Sequence, residues 1–356
     1  MIDMRSIRQL SASHGVFTGD ILLTALNLLG VNSPGGARRA RAEVTLDDAP
    51  PDAFLIIIPM NRIDSPFTLD ADGVLSLGRD RIGRASVPAH DDAIGGYFRK
   101  SGQVLTLNPN SRSRCTGCAF CPNTLEAASD PRLRDVKTLH ELLDALALES
   151  SREDSLDAVA EVTVSTGCYE QEDRAIQFLE DTREVLTQRG MQAQLGFLTS
   201  VLRTDAAFRR ISERVGQLLL FVTLECFSRR DLLLKSTKAS LLPEETSDLM
   251  RRARTAGLQP TYNYIVGLDG LEYLPRLAEL DREAEIFPNY QIYQSHNTLM
   301  DRIRAPQAET IEYYLKARRI IERYWETRQL RPESWRNYRP LWYYTFGSEA
   351  LTGPRI

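Results

Sequence analysis

Val104-Leu105-Thr106-Leu107 is a short apolar run that leads within a few residues into Arg114-Cys115-Thr116-Gly117-Cys118-Ala119-Phe120-Cys121-Pro122. A buried strand followed by a loop carrying three thiols organises the reading of everything downstream. Leu139, Leu142, Leu143 and Leu146 recur at helical spacing, and Val159 to Val164 is the next strand-like run, ending in Ser165-Thr166-Gly167-Cys168. A helix is predicted from about Glu172, with Gly190 where a C-cap glycine belongs. Gln194 to Phe197 and Leu218 to Leu224 read as the third and fourth strands, the latter closing in Glu225-Cys226. Pro243 opens a helix with Leu249, Met250 and Ala253 on one face, and Gly257 ends it. Thr261 to Val266, followed by Gly267, and Tyr290 to Tyr293 supply the fifth and sixth strands. Six strand-then-helix steps imply parallel strands with right-handed crossovers, so the fold class is α/β, a part or full (β/α) barrel. In such a barrel the loops that follow the strands carry the chemistry, and all five cysteines fall there.

The barrel core is assigned to residues 101–300, an N-terminal α/β extension to 1–100, and a helical and aromatic extension to 301–356. In the first of these extensions Phe54 to Ile58 and Gly73 to Leu77 read as strands, while Pro34-Gly35-Gly36 and Ala49-Pro50-Pro51 punctuate like loops. Arg38, Arg39 and Arg41 read as a solvated charged edge, with phosphate contact as the alternative. Near the C-terminus Tyr313, Ala317, Ile320 and Tyr324 form a helical stripe. The aromatic-rich Trp335 to Phe346 follows, expected to pack across the barrel or else to line a substrate pocket.

Composition narrows the classes. At 356 residues, 42% hydrophobic and 26% charged, the chain has the profile of a folded enzyme. A net charge of −4 gives no general pull toward nucleic acid or anionic membrane, so a small-molecule substrate is expected. The N-terminus lacks a signal-peptide pattern and no stretch approaches a membrane span, which points to the cytoplasm. Five cysteines, three within seven positions, do not form a disulfide framework; clustered thiols in a reducing compartment suggest metal.

Three thiolates on one tight loop suit three irons of a cubane cluster, which leaves the fourth iron open. On Gly117-Cys118-Ala119-Phe120-Cys121 the chain resembles the radical S-adenosylmethionine superfamily, with one departure. Two residues separate Cys115 from Cys118, where the usual motif has three. The resemblance covers roughly residues 103 to 297. It implies a [4Fe–4S] cluster on Cys115, Cys118 and Cys121, and S-adenosylmethionine cleaved reductively to a 5′-deoxyadenosyl radical that abstracts hydrogen from a small molecule. It also implies an external one-electron donor such as a flavodoxin or ferredoxin. By the same resemblance Phe120 lies close to the adenine, and Ser165, Thr166 and Gly167 bind the methionine amino group. Glu225 contacts the ribose or methionine end, Lys235 and Lys238 neutralise the methionine carboxylate, and Ile265 and Gly267 pack on the adenine.

Cys168 and Cys226 are either small buried hydrophobes or chemical groups that donate hydrogen or hold a sulfur species. His296, which shares a strand face with Gln294, is either structural or a substrate-contacting proton carrier. His14, His90 and His140 read as solvated. The Arg- and Ala-rich composition and the altered motif spacing suggest a specialised biosynthetic pathway, with a modified nucleoside or sulfur insertion as candidate chemistry. Two other readings stay open: a non-catalytic binding protein stapled by zinc on the Cys115 loop, which lacks a fourth ligand, and a radical enzyme acting on a peptide or tRNA.

Overall fold

Two helices and an antiparallel sheet begin the chain, in a region whose sequence shows only two of these strands plainly. The computed structural model describes residues 2–33, 39–86, 89–90 (backbone only), 97–107, 117–121, 138–150, 156–165, 169–295 and 297–354. It divides into two compact units, one from Met1–Asp91, Ile265–Ala278 and Asn289–Ile356, the other from Asp92–Tyr264 and Glu279–Pro288. Among the described residues no helix is long and apolar enough to cross a membrane.

The first unit opens with α1 (Met4–His14) and α2 (Thr18–Leu29). Asp3 caps α1 by accepting the Ser6 N–H at 2.7 Å, and Gly15 ends it in the left-handed conformation. Every residue from Gly19 to Leu28 is buried, so α2 is covered all round and presents no exposed face to set against an apolar stripe. Of its three buried polar residues, Asp20, Thr24 and Asn27, the first and last bind partners beyond the helix. Asp20 accepts from the backbone N–H groups of Tyr343, Tyr344 and Thr345 at 2.7 to 3.1 Å and lies 3.2 Å from Arg318 Nη1. Asn27 Oδ1 accepts from Gln294 Nε2 at 2.7 Å.

β1 (Arg39–Leu46), β2 (Phe54–Pro59), β3 (Phe67–Leu69), β4 (Val74–Leu77) and β5 (Asp80–Ala85) form the sheet β2-β1-β5-β4-β3, with β6 (Ala89–His90) also on β1. β1 is central, pairing antiparallel with β2 from Arg39↔Pro59 to Val44↔Phe54. This corrects the reading of Arg39 and Arg41 as a solvated edge. Both are buried, at 6% and 7% exposure, and the Arg41 guanidinium stacks over Tyr338 with its carbon 4.2 Å from the ring centre. A long arginine stem can cover apolar surface as readily as reach water, so charge alone misjudged the strand. Arg38 and Pro34-Gly35-Gly36 lie outside the described residues.

The second unit carries most of a seven-stranded sheet of order β7-β8-β9-β10-β11-β12-β13. Its strands are β7 (Phe98–Arg99), β8 (Val104–Leu107), β9 (Glu161–Val164), β10 (Gln194–Thr199), β11 (Leu219–Glu225), β12 (Gln259–Val266) and β13 (Asn289–Ile292). β8 through β12 are parallel, neighbour to neighbour in sequence order, and β7 joins β8 antiparallel. The chain passes from the second unit into the first at Ile265, and β13 lies beside that last part of β12, where the Tyr293 N–H donates to the Val266 carbonyl at 2.8 Å. The sheet is curled and open, with β7 and β13 as its ends, which is a partial barrel. Every residue of β9 and β11 is buried, as expected of parallel strands covered on both faces.

The crossovers carry α3 (Leu139–Glu149), α4 (Glu172–Gln188), α5 (Asp205–Arg214), the short α6 (Arg230–Leu233) and α7 (Ser236–Ala239), α8 (Pro243–Thr255) and α9 (Leu277–Glu283). Thr138 and Glu141 close a capping box on α3, at 3.2 and 3.1 Å. The start of α4 at Glu172 and the span of α8 from Pro243 to just before Gly257 agree with the sequence signals.

The first unit is completed by α10 (Thr298–Ile303), α11 (Ile311–Trp325) and the hairpin β14 (Thr345–Phe346) and β15 (Glu349–Ala350). The buried line of α11 runs through Tyr313, Tyr314, Ala317, Arg318, Ile321 and Trp325, so Ile320 and Tyr324 sit at its margin as half-buried residues. The aromatic run that follows is core. Tyr343 and Tyr344 meet Phe54 edge-on at 5.2 and 4.8 Å, and Tyr344 also meets Phe17 at 5.3 Å, all inside this unit.

Candidate functional site

The cysteine loop follows β8, and the segment that receives it follows β11. Both leave the carboxyl ends of parallel strands, the edge at which α/β sheets place their ligands. Cys118 to Cys121 is a tight turn in which the Cys121 N–H donates to the Cys118 carbonyl at 3.1 Å. The turn is docked by its backbone: the Ala119 N–H donates to the Leu233 carbonyl at 2.9 Å, and the Lys235 N–H reaches the Cys118 sulfur at 3.5 Å. Gly117 makes this approach possible. Its φ is +106°, and a Cβ there would lie 2.8 Å from Lys235 Cβ. Cys118 and Phe120 are buried and Cys121 is half-buried, so the two sulfurs sit at the boundary between core and surface.

Beside the turn lies a charged pair. Glu225 ends β11 at φ +68°, where the ladder with β12 slips between Thr223 and Glu225. The Cys226 N–H donates back to the Leu224 carbonyl at 2.9 Å, which closes a strained three-residue turn about Glu225. The carboxylate so placed is 7% exposed and accepts from Lys238 Nζ at 2.5 Å. Burial works against the Lys238 ammonium, but the Glu225 carboxylate, the Cys118 and Cys121 sulfurs and the hydrogen bond to Glu225 outweigh it, and the pKa is raised. The ammonium therefore stays charged across the physiological range.

Arg230 holds this arrangement. Its Nη1 donates to the carbonyls of Leu224 at 2.6 Å and Cys226 at 2.5 Å, and its Nη2 to those of Lys238 at 2.8 Å and Leu241 at 2.7 Å. One guanidinium thus ties the Glu225 turn to the segment that bears Lys238. Sequence reasoning passed over Arg230, since a buried arginine that binds backbone carbonyls has no spacing signature.

No family model matches the chain, and no curated protein matches it.

The structure thus brings Cys118, Phe120, Cys121, Glu225, Lys235 and Lys238 into one neighbourhood of the second unit. Cys226 is fully buried beside Glu225, and its carbonyl is one of the Arg230 acceptors. Ser165 is half-buried at the end of β9, its N–H donating to the Leu107 carbonyl at 2.8 Å. Cys115, Thr166, Gly167, Cys168 and His296 lie outside the described residues. Among the described residues no three His, Cys, Asp or Glu side chains group as a metal site. The fit of a thiolate-bound metal is therefore judged on Cys118 and Cys121: two thiols on one turn, beside a buried cation, are a donor set suited to iron–sulfur ligation.

Ile265 and Gly267 belong to the first unit. Ile265 is 2% exposed, and Gly267 has φ +115° with Tyr314 Oη 2.7 Å and Tyr293 Cβ 2.9 Å from where a Cβ would stand. Packing by itself requires glycine here. Gly267→Ala combines a left-handed strain with a clash against two buried tyrosines and should cost about 2–4 kcal/mol. Urea unfolding would read this as a lowered midpoint at unchanged slope, and an unchanged midpoint would contradict the packing described.

Proposed function

We propose that this protein is a radical S-adenosylmethionine enzyme that holds a [4Fe–4S] cluster on Cys115, Cys118 and Cys121 and acts on a small-molecule substrate. The observation that carries the reading is the docking of a two-thiol turn, beside the buried Lys238–Glu225 pair, at the carboxyl edge of a parallel partial barrel. When bound, such a cluster supplies an electron to S-adenosylmethionine and so opens radical chemistry on unactivated C–H bonds.

The chain's own residues have separable tasks under this reading. Cys118 and Cys121 provide thiolates on a turn whose backbone is fixed from Leu233 and Lys235, so the ligands are pre-positioned and lose little freedom on binding. Lys238 offsets the negative charge that thiolates and sulfides bring, while Glu225 keeps the ammonium in place and limits its net effect. Phe120, Leu233 and Cys226 wall this region with apolar surface and keep water out. Phe120, Ser165, Thr166, Gly167, Glu225, Lys235 and Lys238 are proposed around the S-adenosylmethionine, and Cys168, Cys226 and His296 toward the substrate. Glu225 and Lys238 already satisfy one another, so Lys235 is the basic residue of this group better placed to meet a carboxylate.

Anaerobic reconstitution with iron and sulfide tests the assignment. About four irons and four sulfides per chain, with the broad absorption of a cubane cluster, is the expected result. A chain that takes up zinc in preference and no sulfide is a stapled binding protein and not this enzyme.

A further inference from the structure

In the first unit, the ends of β12 and β13 and the start of α11 place four residues together. The Ala305 N–H donates to the Gly267 carbonyl at 2.8 Å, which sets the preceding residue, Arg304, beside the chain leaving β12. The Arg304 guanidinium carbon lies 5.7 Å from the Tyr293 ring centre. Tyr314 Oη lies 2.7 Å from the Cβ position of Gly267. Three tyrosines pack here and two have their hydroxyls engaged: Tyr293 donates to the Met300 carbonyl at 2.7 Å and Tyr313 to the Asp269 carbonyl at 2.5 Å. Tyr314 is fully buried, and its hydroxyl has no hydrogen-bond partner among the described residues. Arg304 Nε and Nη2 are likewise buried and without hydrogen-bond partners among them. Of the acidic side chains that act on these groups, Asp301, Glu309 and Glu272 are exposed and Asp269 is buried; Asp301 lies 3.7 Å from Arg62, and among the described residues none of them pairs with Arg304.

Buried donors left unsatisfied are costly, so three in one place point to a ligand. Nε and Nη2 belong to one edge of the guanidinium, whose two parallel N–H groups match the two oxygens of a carboxylate. The chain uses this edge so elsewhere. Arg210 Nε and Nη2 meet the two Glu180 oxygens at 2.8 and 2.7 Å, and Arg331 meets those of Glu349 at 2.7 and 3.0 Å. We infer that Arg304 and Tyr314 form a binding site for the carboxylate group of a small-molecule ligand, with the Tyr293 ring as its floor. Nothing in this assignment depends on the cysteine turn or on a cluster.

The test is thermal unfolding of the full chain at neutral pH in sodium acetate, sodium phosphate or sodium chloride of equal ionic strength. Acetate raises the wild-type Tm in a concentration-dependent way and by more than phosphate, whose tetrahedral oxygens fit the planar edge less well. Arg304→Met abolishes the acetate-dependent gain, and Tyr314→Phe reduces it. In chloride, Arg304→Met melts no lower than wild type, because it removes two buried donors that have no hydrogen-bond partner among the described residues. A wild-type Tm indifferent to acetate, a larger gain from phosphate, a gain retained in Arg304→Met, or an Arg304→Met chain that melts well below wild type in chloride would each overturn the assignment.

Discussion

Cys118→Ala and Cys121→Ala each abolish iron and sulfide uptake in anaerobic reconstitution, while Cys226→Ala leaves it intact. Loss of even an outer-shell partner costs about 10- to 100-fold in metal affinity, and loss of a thiolate ligand removes a bond outright. The turn itself survives either substitution. It is held by the Ala119 N–H to Leu233 and the Cys121 N–H to Cys118, both backbone contacts that alanine keeps. The two variants should therefore unfold close to wild type in their metal-free forms, which separates ligand loss from misfolding. Cys226 has no exposed surface and Arg230 engages it through its backbone carbonyl, which alanine keeps, so alanine there costs about 1 kcal/mol of packing and no iron. Iron retained in Cys118→Ala would remove the turn from the site.

Lys238→Met destabilises the protein by about 3–5 kcal/mol, and Lys238→Met with Glu225→Gln recovers most of that loss. Glu225 is 7% exposed and held by a strained backbone turn, so without the ammonium its carboxylate is a buried charge with its nearest cation gone. Glu225→Gln alone is milder, because an ammonium in reach of two sulfurs keeps some compensation. Denaturant unfolding of the two singles and the double closes a thermodynamic cycle, and a coupling below about 0.5 kcal/mol would show that the pair is not a unit. With a cluster bound, the same variants should part in opposite directions. Removing the cation lowers the midpoint potential and removing the carboxylate raises it, on the scale of ~59 mV for each tenfold change in the one-electron equilibrium. A redox titration followed by electron paramagnetic resonance reads the shift.

Much of the parallel sheet was legible because its strands are buried on both faces. Leu218 to Leu224 is apolar apart from Thr223, and Thr261 to Val266 apart from Thr261 and Asn263, while Pro243, Gly190 and Gly257 mark helix boundaries by backbone constraints that are local in sequence. The first unit was less legible for a matching reason. α2 is buried on every side and so has no exposed face to define a stripe, and β1 alternates arginine with alanine from Arg39 to Ala42 although both faces are buried there. Within the site, Cys118 and Cys121 stand out as part of three thiols within seven positions, and Glu225 and Lys238 through the resemblance to the radical S-adenosylmethionine superfamily. Their mutual arrangement was not legible, because the Glu225–Lys238 pairing depends on a bulge at Thr223 and on four carbonyl contacts to Arg230, none of which has a sequence period. Arg304 and Tyr314 escaped for another reason: what distinguishes them is the absence of a hydrogen-bond partner, and that is a property of packing alone.

The most direct test of the central claim is release of 5′-deoxyadenosine from S-adenosylmethionine by the reconstituted protein under dithionite. The account predicts its formation by the wild-type chain, its loss in Cys118→Ala and Cys121→Ala, and its persistence in Cys226→Ala. A wild-type protein loaded with iron and sulfide that yields no 5′-deoxyadenosine, or one that binds only zinc, would contradict it.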